Sequence, residues 1–189
     1  MRIVGGELRG RKLQAPSGTD LRPTSDRARE SIFNILSHGK PAIDLDGVSI
    51  VDVFAGTGAL GLEAVSRGAA HATFIDANPA SLKHAGDNAA QLGVWKQTML
   101  LKFDARRLAP PPRAAKAPCA VAFLDAPYNL ELTIPALQGL INKGWVTAGS
   151  ICVVETEQEN ILEPPRGYRL IEDRNYGAAQ VHFLEVLGL

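Results

Sequence analysis

Hydrophobic and polar positions follow two rhythms along this chain, and the change falls near residue 48. Before it, "RIVGGELRGRKLQAP" offers short apolar pairs, turn glycines and basic residues, a pattern that predicts one or two short strands or an extended arm over residues 1–23. "TSDRARESIFNIL" then predicts a helix. Thr24 or Ser25 can cap it, Ala28, Ile32, Phe33 and Leu36 form one apolar stripe, and Arg27 and Arg29 project from its first turns.

From residue 48 the pattern becomes strand, turn, helix. "VSIVDVF" reads as a continuous apolar strand, "GALGLEAVSRG" as a helix closed by Gly68, and "HATFID" as a second strand. "NPASLKHAGDNAAQLG" is a second helix, with Pro79 in its first turn and Gly93 after its end. "TMLLKF", "CAVAFLD" and "SICVVET" supply three more strands, and "LTIPALQGLINKG" another helix. "PPPRAAKAP" reads as a flexible proline-rich surface loop without chemistry. "YRLIEDRNYGAAQVHFLEV" predicts two antiparallel strands joined around residues 175–178. Alternating strands and helices imply a mostly parallel sheet covered on both faces, with an antiparallel hairpin at its end.

Composition narrows the class. A chain of 189 residues supports one sizeable core and at most a small extra lobe, and 46% hydrophobic with 21% charged residues is ordinary for a globular protein. Cys119 and Cys152 sit in apolar stretches, as reduced core thiols do. No apolar run approaches the roughly 20 residues of a membrane helix, and "MRIVGGELRGRK" has no apolar signal core, which together predict a cytoplasmic protein. His38, His71, His84 and His182 are scattered without ligand spacing, so no metal is expected. Net charge is zero but uneven: residues 1–40 hold eight basic side chains against four acidic ones. A basic N-terminal part on an acidic body predicts a polyanionic partner.

The chemistry starts at "DVFAGTGALG". Gly56, Gly58 and Gly61 have dinucleotide-fingerprint spacing and lie between a predicted strand and helix. Asp76 ends the next strand, where a carboxylate can accept both hydroxyls of a ribose. An adenosine-type ligand follows. Three details disfavour a dinucleotide. Asp52, just upstream of the loop, would repel a pyrophosphate but suits the cationic S-adenosylmethionine. Asp104 ends the third strand, where it can meet an adenine amino group. The fourth strand ends in "DAPY", Asp125 to Tyr128, for which a nicotinamide oxidoreductase has no use. An exocyclic amine on a base is a weak nucleophile, so its transfer chemistry needs acceptors that orient it and a surface that holds the ring. Asp125 with a neighbouring carbonyl supplies the first and Tyr128 the second. Glu155 follows the fifth strand, where it can line the cleft or serve only the structure.

The ordered set "DVFAGTGALGLEA", "FIDANP", "FDA" and "DAPY" resembles the class I S-adenosylmethionine-dependent methyltransferases. "RIVGGELRGRKL", "LRPTSDRARESIFNIL" and "YGAAQVHF" resemble one subfamily, the bacterial 16S ribosomal RNA guanine-N2 methyltransferases. The resemblance implies a Rossmann-like, seven-stranded, mostly parallel α/β sheet with a C-terminal antiparallel hairpin and a small N-terminal arm. It divides the chain into a basic RNA-facing arm and helix over residues 1–40 and a methyltransferase domain over 41–189. It assigns Asp52, Phe54, Gly56, Gly58, Asp76 and Asp104 to the cofactor, and Asp125, Pro127 and Tyr128 to the reacting base. It puts Arg9, Arg11, Lys12, Arg22, Arg27 and Arg29 at RNA phosphates. The implied substrate is 16S RNA in a small-subunit particle or assembly intermediate, met by a monomer. The family usually has proline where this chain has Ala126, which keeps the carbonyl but loses the fixed φ. Amino methyltransferases acting on another RNA, DNA adenine or protein glutamine, and a silent RNA-binding assembly factor, remain alternatives at this point.

Overall fold

Val51, Val53, Ile75, Leu124 and Val154 pack into one buried cluster, while Ile50, Phe74, Phe123 and Val153 pack into another. Successive strand residues point to opposite sides of a sheet, so these two sets are its two covered faces. That is why the strands read as continuous apolar runs rather than alternating ones.

The protein was analysed as a computed structural model, which describes residues 1–15, 25–126, 130–160 and 162–188. Seven strands are present: β1 (Ser49–Val53), β2 (His71–Asp76), β3 (Thr98–Lys102), β4 (Val121–Asp125), β5 (Ile151–Glu157), β6 (Tyr168–Tyr176) and β7 (Ala179–Val186). They form one sheet in the order β3-β2-β1-β4-β5-β7-β6. The first five are parallel; β7 pairs antiparallel with both β5 and β6. Helices α1 (Asp26–His38), α2 (Ala59–Ser66) and α3 (Pro79–Leu92) cover one face. Helix α4 (Leu130–Asn142) and short turns around Ala105 and Ala115 cover the other. The predicted α/β class and strand set are therefore observed, with boundaries shifted by a residue or two.

Local signals end the elements as their chemistry requires. Ser25 caps α1, its Oγ accepting the Ala28 N–H at 3.1 Å. Asn78 caps α3, Pro79 fills its first position and Gly93 closes it at φ 80°. The two cysteines are buried, and burial pushes both thiols up to about 12.

One expectation changes. The proline-rich stretch is not a loose surface loop: residues 113–115 form a 3-10 turn and Ala115 is fully buried in the second core cluster. An apolar side chain inserted into the core on the α4 side anchors a segment whose composition suggested none. The N-terminal residues 1–15 pack against the body of the fold. Ile3 and Leu13 are buried in the first cluster, and Arg2 and Lys12 pair as an isolated antiparallel bridge.

Candidate active site

Chain order places the crevice. From β1 the chain moves outward through β2 to β3, then returns to start β4 on β1's other side. Connections leaving in opposite directions open a gap beyond the C-terminal ends of β1 and β4, the usual ligand position in such sheets. A cavity of about 670 Å³ lies there, within the range of small-molecule sites. Asp52, Asp76, Asp104, Asp125 and Glu155 all line it.

The glycine loop joins β1 to α2, and its glycines do different jobs. Gly56 has φ 55°, and a Cβ there would meet nothing nearer than the Phe54 carbonyl at 3.9 Å, so the backbone lies open to the cavity. A Cβ on Gly61 would sit 2.4 Å from the Phe74 ring, so this residue lets α2 approach β2 and stands outside the cavity lining. Phe54 lines the cavity at φ 67°, a conformation that side chains with a Cβ rarely adopt.

Asp52 bears on the charge that a ligand here can carry. It is 2% exposed, and its Oδ2 accepts the Gly61 N–H at 2.9 Å. That N–H belongs to the first turn of α2, where a Rossmann site would hold pyrophosphate. An internal carboxylate thus occupies the anion position. Burial raises the Asp52 carboxyl well above the usual range, the Gly61 N–H lowers it in part, and Asp125 and Asp76 raise it further. A cation alongside would relieve that strain; a phosphate would worsen it.

Asp76 sits at the end of β2. Its Oδ2 accepts the Gly56 N–H at 3.1 Å and its Oδ1 the Asn78 N–H at 2.8 Å. Each oxygen keeps a lone pair for a hydroxyl. The open Gly56 backbone, the oriented Asp76 and the buried Asp52 together fit an adenosyl ligand with a positive tail. Asp104 arrives already paired. Arg106 Nη2 meets its Oδ2 at 2.7 Å and Arg106 N donates to Oδ1 at 3.0 Å, and this partner pulls the carboxyl down to about 2. Arg106 also lines the cavity and was not read from the sequence.

On the acceptor side, Asp125 ends β4, Ala126 follows it into the cavity, and Glu155 lies beside Asp125 on β5. Thr156, next along β5, has its Oγ1 3.0 Å from His182 Nε2. Pro127 and Tyr128 lie outside the described residues, as does Arg22.

Among the proposed RNA contacts, Arg9, Arg11 and Arg27 are exposed, as is Lys12 on one side of the bridge to Arg2. Arg11 Nη2 donates to the Gln91 carbonyl at 3.1 Å. Arg29 is corrected. It is fully buried, donates to the Arg2 carbonyl, and pairs with Asp26 at 2.8 Å and with Glu63 at 3.7 Å. A guanidinium enclosed this way holds the fold together instead of meeting a phosphate. Its position repeats with Phe33 and Leu36 at helical spacing, a signal that placed it on the inward side of α1.

Two buried polar side chains passed unread. Glu63 on α2 accepts the N–H groups of Val4 and Gly5, both at 2.8 Å, and pairs with Arg67 at 2.8 Å. Asn88 on α3 accepts the Gln14 N–H at 2.7 Å and donates to the carbonyls of Gln14 and Thr57, both at 3.0 Å. Asn88 thereby ties the basic N-terminal segment to the glycine loop.

Comparison with known proteins agrees with this geometry. The chain is 38% identical over 166 residues to "Ribosomal RNA small subunit methyltransferase D" of Escherichia coli (strain K12), covering 86% of this chain and 77% of that one. It is 31% identical over 178 residues to the Haemophilus influenzae protein of the same name, covering 94% and 89%. The solved structure of Escherichia coli yhhF, described as a candidate methyltransferase, superposes with a TM-score of 0.83 at 30% identity over 100% of this chain and 99% of that one. With a family model matching residues 1–185, the chain belongs to the family described as conserved hypothetical protein 95, and its fold is that of the Rossmann-like methyltransferases.

Proposed function

We propose that this protein transfers a methyl group from S-adenosylmethionine to the exocyclic N2 amine of a guanine in 16S ribosomal RNA. The observation that carries the reading is one cavity lined by Asp52, Asp76 and Asp125, with the anion position of its glycine loop filled by Asp52. The names of the relatives, small-subunit RNA methyltransferases, support the RNA substrate.

The cofactor supplies an electrophilic methyl on sulfur and departs as a neutral thioether. The protein's residues do the rest. Asp76 holds the ribose hydroxyls, and Asp52 faces the positive tail. Asp125 and the Ala126 carbonyl accept the two N–H bonds of the amine and aim its lone pair. As the new N–C bond forms, the Asp125 carboxylate or water takes the proton that the nitrogen sheds. Pro127 and Tyr128 are assigned to the face of the base by the family resemblance. Positioning is the main contribution, because the displacement needs no covalent intermediate.

The N-terminal residues 1–40 form the RNA-facing part, and the remaining residues the methyltransferase domain. Arg9, Arg11 and Lys12 are exposed there to meet phosphates, and the exposed Arg27 joins them from α1. The target guanine leaves its stack to enter the cavity. We place the working enzyme in the cytoplasm, as a monomer acting on a small-subunit particle. Among the described residues no helix is long and apolar enough to cross a membrane.

The test is mass spectrometry of nucleosides from small-subunit RNA of a deletion strain, before and after incubation of its particles with purified protein and S-adenosylmethionine. N2-methylguanosine should be lost and then restored. Methyladenosine as the restored product, or no product at all, overturns the reading.

A further inference from the structure

Asp125 and Glu155 are register partners on the parallel neighbours β4 and β5. Adjacent strands lie about 4.8 Å apart, and in-register residues share a sheet face. Asp125 alternates with Phe123 and Glu155 with Val153, and both apolar residues belong to the same core cluster. The two carboxylates therefore stand side by side on one face, and both line the cavity. Glu155 is held on both sides, facing Asp125 on β4 and Val181 on β7, and Asp125 directly follows Leu124, which pairs with Val53 on β1.

We infer that Glu155 selects guanine by accepting its ring N1–H while Asp125 accepts from the neighbouring N2 amine. This rests on the reaction proposed above and says how the base is chosen. Three RNA bases carry an exocyclic amine. In adenine the ring nitrogen beside the amine on the pairing edge is N1, and in cytosine it is N3; both present lone pairs. Guanine alone places a ring N–H donor next to its amine. Two adjacent acceptors match that edge. Against adenine or cytosine, Glu155 would face a lone pair, acceptor against acceptor, and polar sites of this type reject a mismatched partner strongly. Asp125 alone does not discriminate, because all three amines donate. Strand placement gives the selection a rigid base.

The experiment uses small-subunit particles carrying either guanine or 2-aminopurine at the methylated position, introduced by ligation of a synthetic RNA segment. 2-Aminopurine keeps the exocyclic amine and replaces N1–H by a lone pair. Wild-type protein should methylate the guanine particles about 10- to 100-fold faster in single turnover, the scale of one hydrogen bond to a charged group. Glu155→Gln should narrow or invert that preference, because its amide can donate to the N1 lone pair. Calorimetric S-adenosylmethionine affinity and the melting temperature should match wild type, showing that the effect lies with the base. Equal wild-type rates on the two particles overturn the inference whatever the variant does, as does a Glu155→Gln protein with unchanged preference. A wild-type protein that methylates neither particle overturns the proposed reaction, and the inference with it. Methylation of both at equal rates leaves the reaction standing and removes only the role of Glu155.

Discussion

The Asp52 carboxylate accepts the backbone N–H of Gly61 at 2.9 Å and is otherwise closed off from solvent. Burial raises its carboxyl well above the usual range, so ionising it opposes folding. Its favourable contribution to stability is full below the ordinary carboxylate range and is lost as pH rises through the raised value. A bound cation favours the ionised form. Binding must therefore expel a proton while pH lies below the raised value, so S-adenosylmethionine affinity should climb with pH and level off above it. Calorimetry in buffers of different ionisation enthalpy reads the proton directly. Asp52→Asn, which keeps an acceptor for Gly61, should bind more weakly and without that slope. Wild-type affinity that stays flat as pH rises from the ordinary carboxylate range would contradict the assignment.

Asp76 holds the Gly56 N–H, and in the proposed reaction its oxygens also hold a ribose. Asp76→Ala should weaken cofactor binding by about 1.5–3 kcal/mol, the scale of hydrogen bonds to a charged group. The loss should appear for S-adenosylhomocysteine too, since that product shares the ribose. A Kd for either ligand equal to that of wild type would remove Asp76 from the site.

The basic residues of the first 40 divide by exposure. Replacing Arg9, Arg11 and Lys12 with Gln should weaken RNA binding while sparing cofactor affinity. On single-stranded RNA the log–log salt slope should fall by about 0.7 for each phosphate that the variant no longer neutralises. Arg29 should behave differently. It pairs with Asp26 and Glu63 with no exposed surface, so Arg29→Ala leaves a buried carboxylate short of its partner and should cost about 3–5 kcal/mol of stability. Denaturant titration of Arg29→Ala beside filter binding of the triple variant separates the two behaviours. A stable Arg29→Ala protein with a reduced salt slope would return Arg29 to the RNA surface.

In the proposed reaction Asp125 addresses the acceptor and not the cofactor. Asp125→Ala should lower single-turnover methylation about 10²–10³-fold, by analogy with losing one preorganised polar group, while S-adenosylmethionine binding changes little. Wild-type turnover in this variant would mean that the amine is oriented elsewhere. Ala126→Pro should be tolerated, since a residue that precedes a proline is already biased toward extended backbone.

Periodicity alone determined the α/β class, because strands buried on both faces must be apolar throughout and helices buried on one side must repeat every three to four residues. Glycine, proline and capping residues marked the ends for equally local reasons: Gly93 at φ 80° and Ser25 bonded to Ala28 depend on few neighbours. Gly56, Asp76 and Asp125 were legible as site candidates because each ends or follows a strand. Other facts needed the tertiary structure. Arg29 carried the spacing of an inward residue, but burying a guanidinium depends on Glu63 arriving from α2. Asn88 looks like any polar helix residue until Gln14 and Thr57 fold onto it. The register of Asp125 with Glu155 was set by parallel pairing between distant segments. Local sequence decides what a backbone segment becomes; which charges neutralise one another is decided only when segments far apart in the chain exclude water together.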